Sequence, residues 1–313
     1  MLRKSLGLSI SLAVSASLAV AADGNPSVAK LSAAEIVAKN VAARGGLDAW
    51  RAVKTLTLSG KVGAGGNQRP SLQVPAQGPS ANAPAETSVV IGHGRRRAEL
   101  PTRPVEEVRL PFVMELERPH KMRFELEFGG KTAVQVFDGV NGWKFRPFLN
   151  RKDVEPYTPE ELKIASMQAD LDGPLVDYAA KGSKVEFVAI DKVENRDTYK
   201  LKLTTKDGSA LHVWIDASTF LEAKMEGQPR RLDGTDHPVE VYFRDFRPVS
   251  GLRIPFVVET KVLPVARTVE GFRDPPVPPE SMVLDSVVVN PKLDEALFTK
   301  PDSGSGPSAQ LVH

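Results

Sequence analysis

No cysteine occurs in the 313 residues, and aromatic residues make up only 6% of them. Disulfide scaffolding, thiolate metal sites and thiol catalysis are therefore excluded. Histidine is scarce as well. His93, His120, His212, His237 and His313 are the full set; none lies at i, i+4 from another, and none sits in a histidine–glutamate zinc motif. The chain also lacks a phosphate loop, a dinucleotide fingerprint and a nucleophile-elbow serine. No cofactor or metal is expected from it.

Charge of one sign is missing too. Lysine and arginine number 41 against 39 acids, and two of the bases, Arg3 and Lys4, belong to a segment that export would remove. The remainder is balanced, without the one-sign field that nucleic acid or an anionic membrane requires. The short clusters Arg95-Arg96-Arg97 and Arg230-Arg231 stand beside Glu99 and Asp233 and read as solvated strand ends. Of long apolar runs there is one, Leu6 to Val20. Following Arg3 and Lys4 and ending in Ala19-Val20-Ala21, it reads as a secretory signal over 1–21, with an N-terminal anchor as the alternative. A soluble, exported mature protein is expected.

What the chain does have is 41% hydrophobic residues with 25 prolines and 24 glycines, a composition of strands and turns. Ser32-Ala33-Ala34-Glu35 is a capping box that opens a helix ended by Gly45-Gly46, and Leu47-Asp48-Ala49-Trp50 continues toward a first strand. There Leu56, Leu58, Gly60 and Val62 share a face. Residues 63–86 carry only two large apolar side chains, Leu72 and Val74, and are expected to be a flexible insertion rather than a linker between domains.

Strand periodicity then dominates. Leu110, Phe112, Met114 and Leu116 fall on one face, and Met122, Phe124, Leu126 and Phe128 alternate with Lys121, Arg123, Glu125 and Glu127. Thr158-Pro159-Glu160-Glu161 opens a helix in which Ile164, Met167 and Leu171 form a line, and a second short helix is expected over Leu175 to Ala180. Strand signals resume from Val185 to Val289. They predict a mainly β fold, a curved antiparallel sheet or open barrel of about ten strands, with an N-terminal helix and a central helical pair that could close one side. The tail 301–313 is expected to be frayed.

Chemistry is hard to find. Asp233-Gly234-Thr235-Asp236-His237 places two carboxylates and an imidazole within five positions that could ligate a metal, but an Asp-Gly turn joining two strands, its polar side chains facing water, is the better account. More prominent is soft apolar surface, including Met114, Met122, Met167 and Met225, which either lines a pocket or fills a core.

The segment Leu116-Glu117-Arg118-Pro119-His120-Lys121-Met122-Arg123, a hairpin, and then Phe137-Asp138-Gly139-Val140-Asn141-Gly142-Trp143 through Pro147-Phe148 resembles a known pattern. With Tyr242 to Pro255, it is similar to the LolA-like periplasmic carriers of outer-membrane lipoprotein sorting over roughly residues 50–262. The resemblance implies a single open-barrel domain over 22–300 whose apolar face is covered by a helical lid and binds acyl chains without catalysis. On that reading Phe112, Met114, Leu116, Phe124, Leu126 and Val136 line the cavity with Ile164, Met167 and Leu171 of the lid, and Arg118 latches the lid. Implied partners are lipid or lipoprotein acyl chains and inner- or outer-membrane sorting proteins, with the chain monomeric. Two rivals remain: an envelope-stress or assembly sensor that binds lipoproteins with a protein partner, and a secreted hydrolase built on Asp233, Asp236 and His237.

Overall fold

The computed structural model describes residues 30–66, 107–148, 151–232, 234–265 and 277–302. The expected signal at 1–21, most of the 63–86 insertion, Asp233 and the tail beyond 302 lie outside the described residues.

Three helices and thirteen strands make up this part. Helix α1 (Ala33–Ala43) begins on the expected capping box, in which the Ser32 hydroxyl accepts from the Glu35 N–H and the Glu35 carboxylate accepts from the Ser32 N–H. It stops where Gly45 adopts a φ of 116°, beyond the reach of a side-chained residue, and where any Cβ would fall on the backbone oxygen of Gly251. The short helix α2 (Leu47–Ala52) follows and leads into β1 (Thr55–Gly66).

The strands form one antiparallel sheet, not closed into a barrel. One wing is a meander: β2 (Glu107–Glu117), β3 (Lys121–Phe128), β4 (Lys131–Phe137), β5 (Gly142–Phe145) and β6 (Val154–Pro156), starting beside β1. Helix α3 (Pro159–Gln168) then carries the chain across to the opposite edge. The second wing runs back from there through β7 (Lys184–Val193), β8 (Arg196–Thr204), β9 (Ala210–Asp216), β10 (Glu222–Leu232), β11 (Thr235–Val249), β12 (Leu252–Val262) and β13 (Glu280–Val289). Pairing of β13 with β1 joins the wings. A final 3-10 turn, Glu295–Phe298, packs against β3 and β4.

Register shifts at Ser59/Gly60, Phe187/Ala189 and Gly227/Arg230 interrupt the ladders, and such bulges bend and twist a sheet. The helices lie along one face only, α3 touching β4 and β5 and α1 touching β7.

Two expectations need correction. Thirteen strands stand where about ten were expected, β6 being only three residues long and too short to show a period. Leu175 to Ala180 is a series of turns, not a helix: Asp177, in the middle of the run, takes a φ of 53° in the left-handed region, which a right-handed helix cannot contain.

Candidate functional site

The face that carries the helices is apolar in both wings, but the two wings use it differently. In the first wing Leu56, Phe112, Leu116, Met122 and Phe137 are packed with Trp50, Val53, Ala165, Ala169, Leu171 and Val176 into one buried core, joined by Leu252, Ile254, Phe256 and Leu284. Phe112 is 1% exposed, and its ring stacks on Phe124 at 5.6 Å. Met114, Phe124 and Leu126 are half-buried at the margin of the same core. Of these residues, expected to line a cavity, Phe112 and Leu116 are buried by packing, while Met114, Phe124 and Leu126 keep part of their surface exposed.

Val136 is on the other face. The β3–β4 register sets Phe124 opposite Gln135 and Arg123 opposite Val136, so Val136 turns away from Phe124 and packs with Val134 and Phe145. The run Ala133-Val134-Gln135-Val136-Phe137 has apolar residues on both faces, and a strand buried on both sides gives no alternation to read.

Helix α3 is also rotated from its expected phase. Ala165, with Ala169 just past the helix, faces the core, Leu162 packs beside them, and Ile164 and Met167 are 38% and 39% exposed. Small residues face inward because the aromatic rings of the sheet already occupy that space.

Ile164 and Met167 look instead toward the second wing. Between them and β8 to β12 lies a cleft of about 910 Å³ whose apolar lining includes Leu203, Leu211, Met225, Val239 and Val241. Register confirms that they share a face: Leu203 pairs with Leu211, and Met225 with Val241. Its rim is polar, with His120, Asp170 and Lys181 at one end and Arg230 at the other. Arg230 is held bidentately by Glu280 at 2.6 and 3.0 Å. A second depression of about 590 Å³ continues around the outer side of α3, past Lys163, Ser209 and Gln228.

Arg118 occupies the junction between the sheet and the helical layer. Its Nε donates to the Val53 carbonyl at 2.8 Å and its Nη2 to the Trp50 carbonyl at 3.0 Å, both at the C-terminal end of α2. The same Nη2 meets the Asp172 carboxylate at 2.5 Å. A guanidinium suits carbonyls left unpaired where a helix ends. Asp172, 3% exposed at its side chain, also receives Lys181 at 2.6 Å, and Lys181 spans to Asp170 at 2.7 Å.

Burial pushes the Asp172 carboxyl up, but hydrogen bonds from Lys181 and Arg118 outweigh it and hold the group below the usual carboxylate range. Asp170 goes the other way. Burial raises it to about 6, in spite of Lys181. Burial and the neighbouring Lys181 charge depress His120. The two aspartates are thus divided into a firm anion and a weak acid. Arg44 adds a third tie to the same segment, donating to the Asp172 carbonyl at 2.8 Å.

A separate polar cluster lies on the opposite face of the first wing. Arg123 Nε donates to Glu125 at 2.7 Å and Arg123 Nη1 to the Leu297 carbonyl at 3.1 Å, beneath the final turn. Glu115, across from Arg123 on β2, is 1% exposed, and neither of its carboxyl oxygens has a hydrogen-bond partner. Burial first and the Glu125 charge second push it up to about 7.

Asp236 and His237 do not converge. Asp236 is exposed at the start of β11, while the adjacent His237 is 3% exposed, as neighbours on a strand face opposite ways. His237 Nδ1 lies 3.0 Å from the Leu263 carbonyl and donates to it. Among the described residues no three of His, Cys, Asp and Glu gather in a manner that could hold a metal ion, and no helix is long and apolar enough to cross a membrane.

Sequence reasoning missed the second-wing lining. Its alternation was visible in Leu201/Leu203, Leu211/Val213 and Val239/Val241, but nothing local tells a filled face from an open one. The methionines came nearest: Met167 and Met225 line the cleft, whereas Met122 is 2% exposed in the core.

No protein-family model matches the chain, and no curated protein matches it in sequence. Solved structures similar to it include a LolA superfamily protein from Nitrosomonas europaea, at 11% identity and a TM-score of 0.49, covering 87% of this chain and 99% of that one. Another is a domain from Vibrio parahaemolyticus, provisionally described as outer membrane lipoprotein-sorting, at 11% identity and 0.47, covering 85% and 95%. A DUF1329 family protein from Desulfovibrio piger matches at 11% and 0.48, covering 85% and 97%.

Proposed function

We propose that this chain is a non-enzymatic periplasmic carrier, exported by the 1–21 segment as a soluble monomer, that binds acyl chains of lipid or lipoprotein. The chains lie in the cleft between α3 and strands β8 to β12, not over the first wing. The observation that carries this reading is the cleft itself, about 910 Å³ with an apolar floor and roof. That volume falls within the range of roughly 300–1,000 Å³ typical of small-molecule sites. Each methylene removed from water contributes about 0.8 kcal/mol, so about ten supply roughly 8 kcal/mol before ordering costs, which makes micromolar the upper bound on affinity from these ten alone.

Arg118 serves as the latch in this scheme. By joining the end of α2 to the segment that follows α3, it keeps the helical layer seated on the sheet. Membrane sorting proteins would deliver and accept the cargo.

The test is chemical extraction. Protein purified from a bacterial envelope and denatured in organic solvent should release acyl lipid detectable by mass spectrometry, and Val241→Trp, which places an indole in the cleft, should release much less while unfolding at a similar temperature. An empty extract from the unaltered chain, or equal lipid from the Trp variant, refutes the reading.

A further inference from the structure

The helix α3 is fastened to the two wings very unequally. On the first wing Ala165 is 2% exposed in the core, Leu162 packs beside it, and Lys144 of β5 grips Glu161 at 2.5 and 2.7 Å. Toward the second wing the polar ties among the described residues are two exposed contacts. Lys163 Nζ donates to Ser209 Oγ at 2.9 Å and pairs with Asp207 at 3.3 Å, both charged side chains more than half exposed. Gln228 Nε2 donates to Met167 Sδ at 3.3 Å. An ion pair so exposed contributes little to stability, and a sulfur is a weak acceptor.

The Met167–Gln228 contact and Asp207 stand where the two clefts meet, while Lys163 and Ser209 line the outer cleft beside them. Met167, Asp207, Leu211 and Gln228 line the inner cleft of about 910 Å³ and the outer one of about 590 Å³ alike, whereas Ile164 lines only the inner and Lys163 only the outer. The fingers that reach α3 are preformed. In the β8–β9 turn, Asp207 Oδ1 accepts from the Thr205 hydroxyl and the Ser209 N–H, and Asp207 Oδ2 accepts from the Ser209 hydroxyl. Gln228 sits in the bulge of β10, where the ladder skips from Gly227–Val239 to Arg230–His237. Such fingers can part from the helix without losing their own shape.

We infer that the Lys163–Asp207/Ser209 and Met167–Gln228 contacts form a side gate through which an acyl chain passes between the outer and inner clefts, α3 remaining on the first wing while the β8–β9 turn and the β10 bulge swing away. This rests on the carrier reading and assigns the moving part to the sheet, not to the helix. It explains why the firm packing of α3 and the weak bridges occur on opposite sides of one helix.

The absence of cysteine makes the gate directly testable. In full-length chain carrying Lys163→Cys and Ser209→Cys, a bis-maleimide should join the helix to the turn. Release of dansyl-labelled undecanoic acid, followed by fluorescence, should slow at least about tenfold on linking. The same variant capped with N-ethylmaleimide should release at the unlinked rate. The single change Lys163→Gln, which needs no linking, should speed release severalfold. Linked protein that releases as fast as unlinked, or Lys163→Gln with unaltered kinetics, overturns the gate while leaving the carrier intact. Failure of the unaltered chain to bind the probe overturns both.

Discussion

Replacing Glu115 by glutamine should stabilise the protein, and increasingly so as pH rises. The carboxyl is 1% exposed, lacks a hydrogen-bond partner at either oxygen, and is raised to about 7 by burial and by Glu125, against 4.5 for the free group. A group whose folded pKa is raised contributes fully below its unfolded pKa, and that contribution fades as pH climbs toward the folded value. Over a gap of roughly 2.5 units the loss amounts to about 3 kcal/mol, at about 1.4 kcal/mol per unit. Glutamine is uncharged at every pH and forfeits no existing hydrogen bond. Its advantage should be under about 1 kcal/mol near pH 5 and about 3 kcal/mol near pH 8. In a chain of this size that corresponds to a rise of about 5 °C or more in Tm at the higher pH. Denaturant unfolding of the two proteins in parallel at both pH values isolates Glu115, because Asp170, Asp172 and His120 titrate in both. Parallel stability–pH curves, or a glutamine variant weaker at high pH, would show that Glu115 is ionised and accommodated, and the account of the cluster beneath the final turn would be wrong.

Arg118→Leu should cost about 3–5 kcal/mol, since it leaves the buried Asp172 carboxylate with Lys181 alone and strips donors from two carbonyls at the end of α2. Thermal unfolding measures that loss, and a bound lipid should leave faster; unchanged release would remove the latch role. Gly60→Ala should destabilise by more than about 2 kcal/mol, because its Cβ would fall on the Val283 carbonyl oxygen where β1 meets β13, a backbone contact that cannot rotate away. A variant that unfolds with the parent would mean that the junction of the wings yields more easily than its register suggests.

Much of this architecture was legible in the sequence. The two capping boxes at Ser32 and Thr158 and the alternation over Lys121 to Phe128 are local signals, fixed by backbone hydrogen bonds and by which side chains meet water, and each stands where it was expected. Arg118 was singled out only by the resemblance, and here it donates to two carbonyls at the end of α2. The failures share a cause. Val136, the phase of α3, and the cavity sought around Phe112 each depend on what lies opposite a strand or helix, which no spacing within the element reveals. Leu171, expected on the cavity side of the lid helix, lies beyond the end of α3 and is buried in the first-wing core.

Aromatic scarcity helps explain why one continuous sheet can be solid at one side and open at the other. Both wings present aliphatic stripes of the same period to the same face, so the strands alone would predict the same outcome for both. The rings, however, are unevenly distributed. Trp50, Phe112 and Phe137 gather in the first-wing core, with Phe256 supplied from β12, and each ring occupies the volume that an approaching helix would otherwise have to fill. Against them α3 needs only alanines to close the gap. Among the described residues no Phe, Tyr or Trp lines the second-wing cleft, and Gly227 contributes no side chain there at all. With branched aliphatics on the floor and the same α3 already committed to the first wing, the space between them cannot be filled from either side. The open cleft follows from where the chain places its few rings, and adding one there, as Val241→Trp does, should convert the second wing into a likeness of the first.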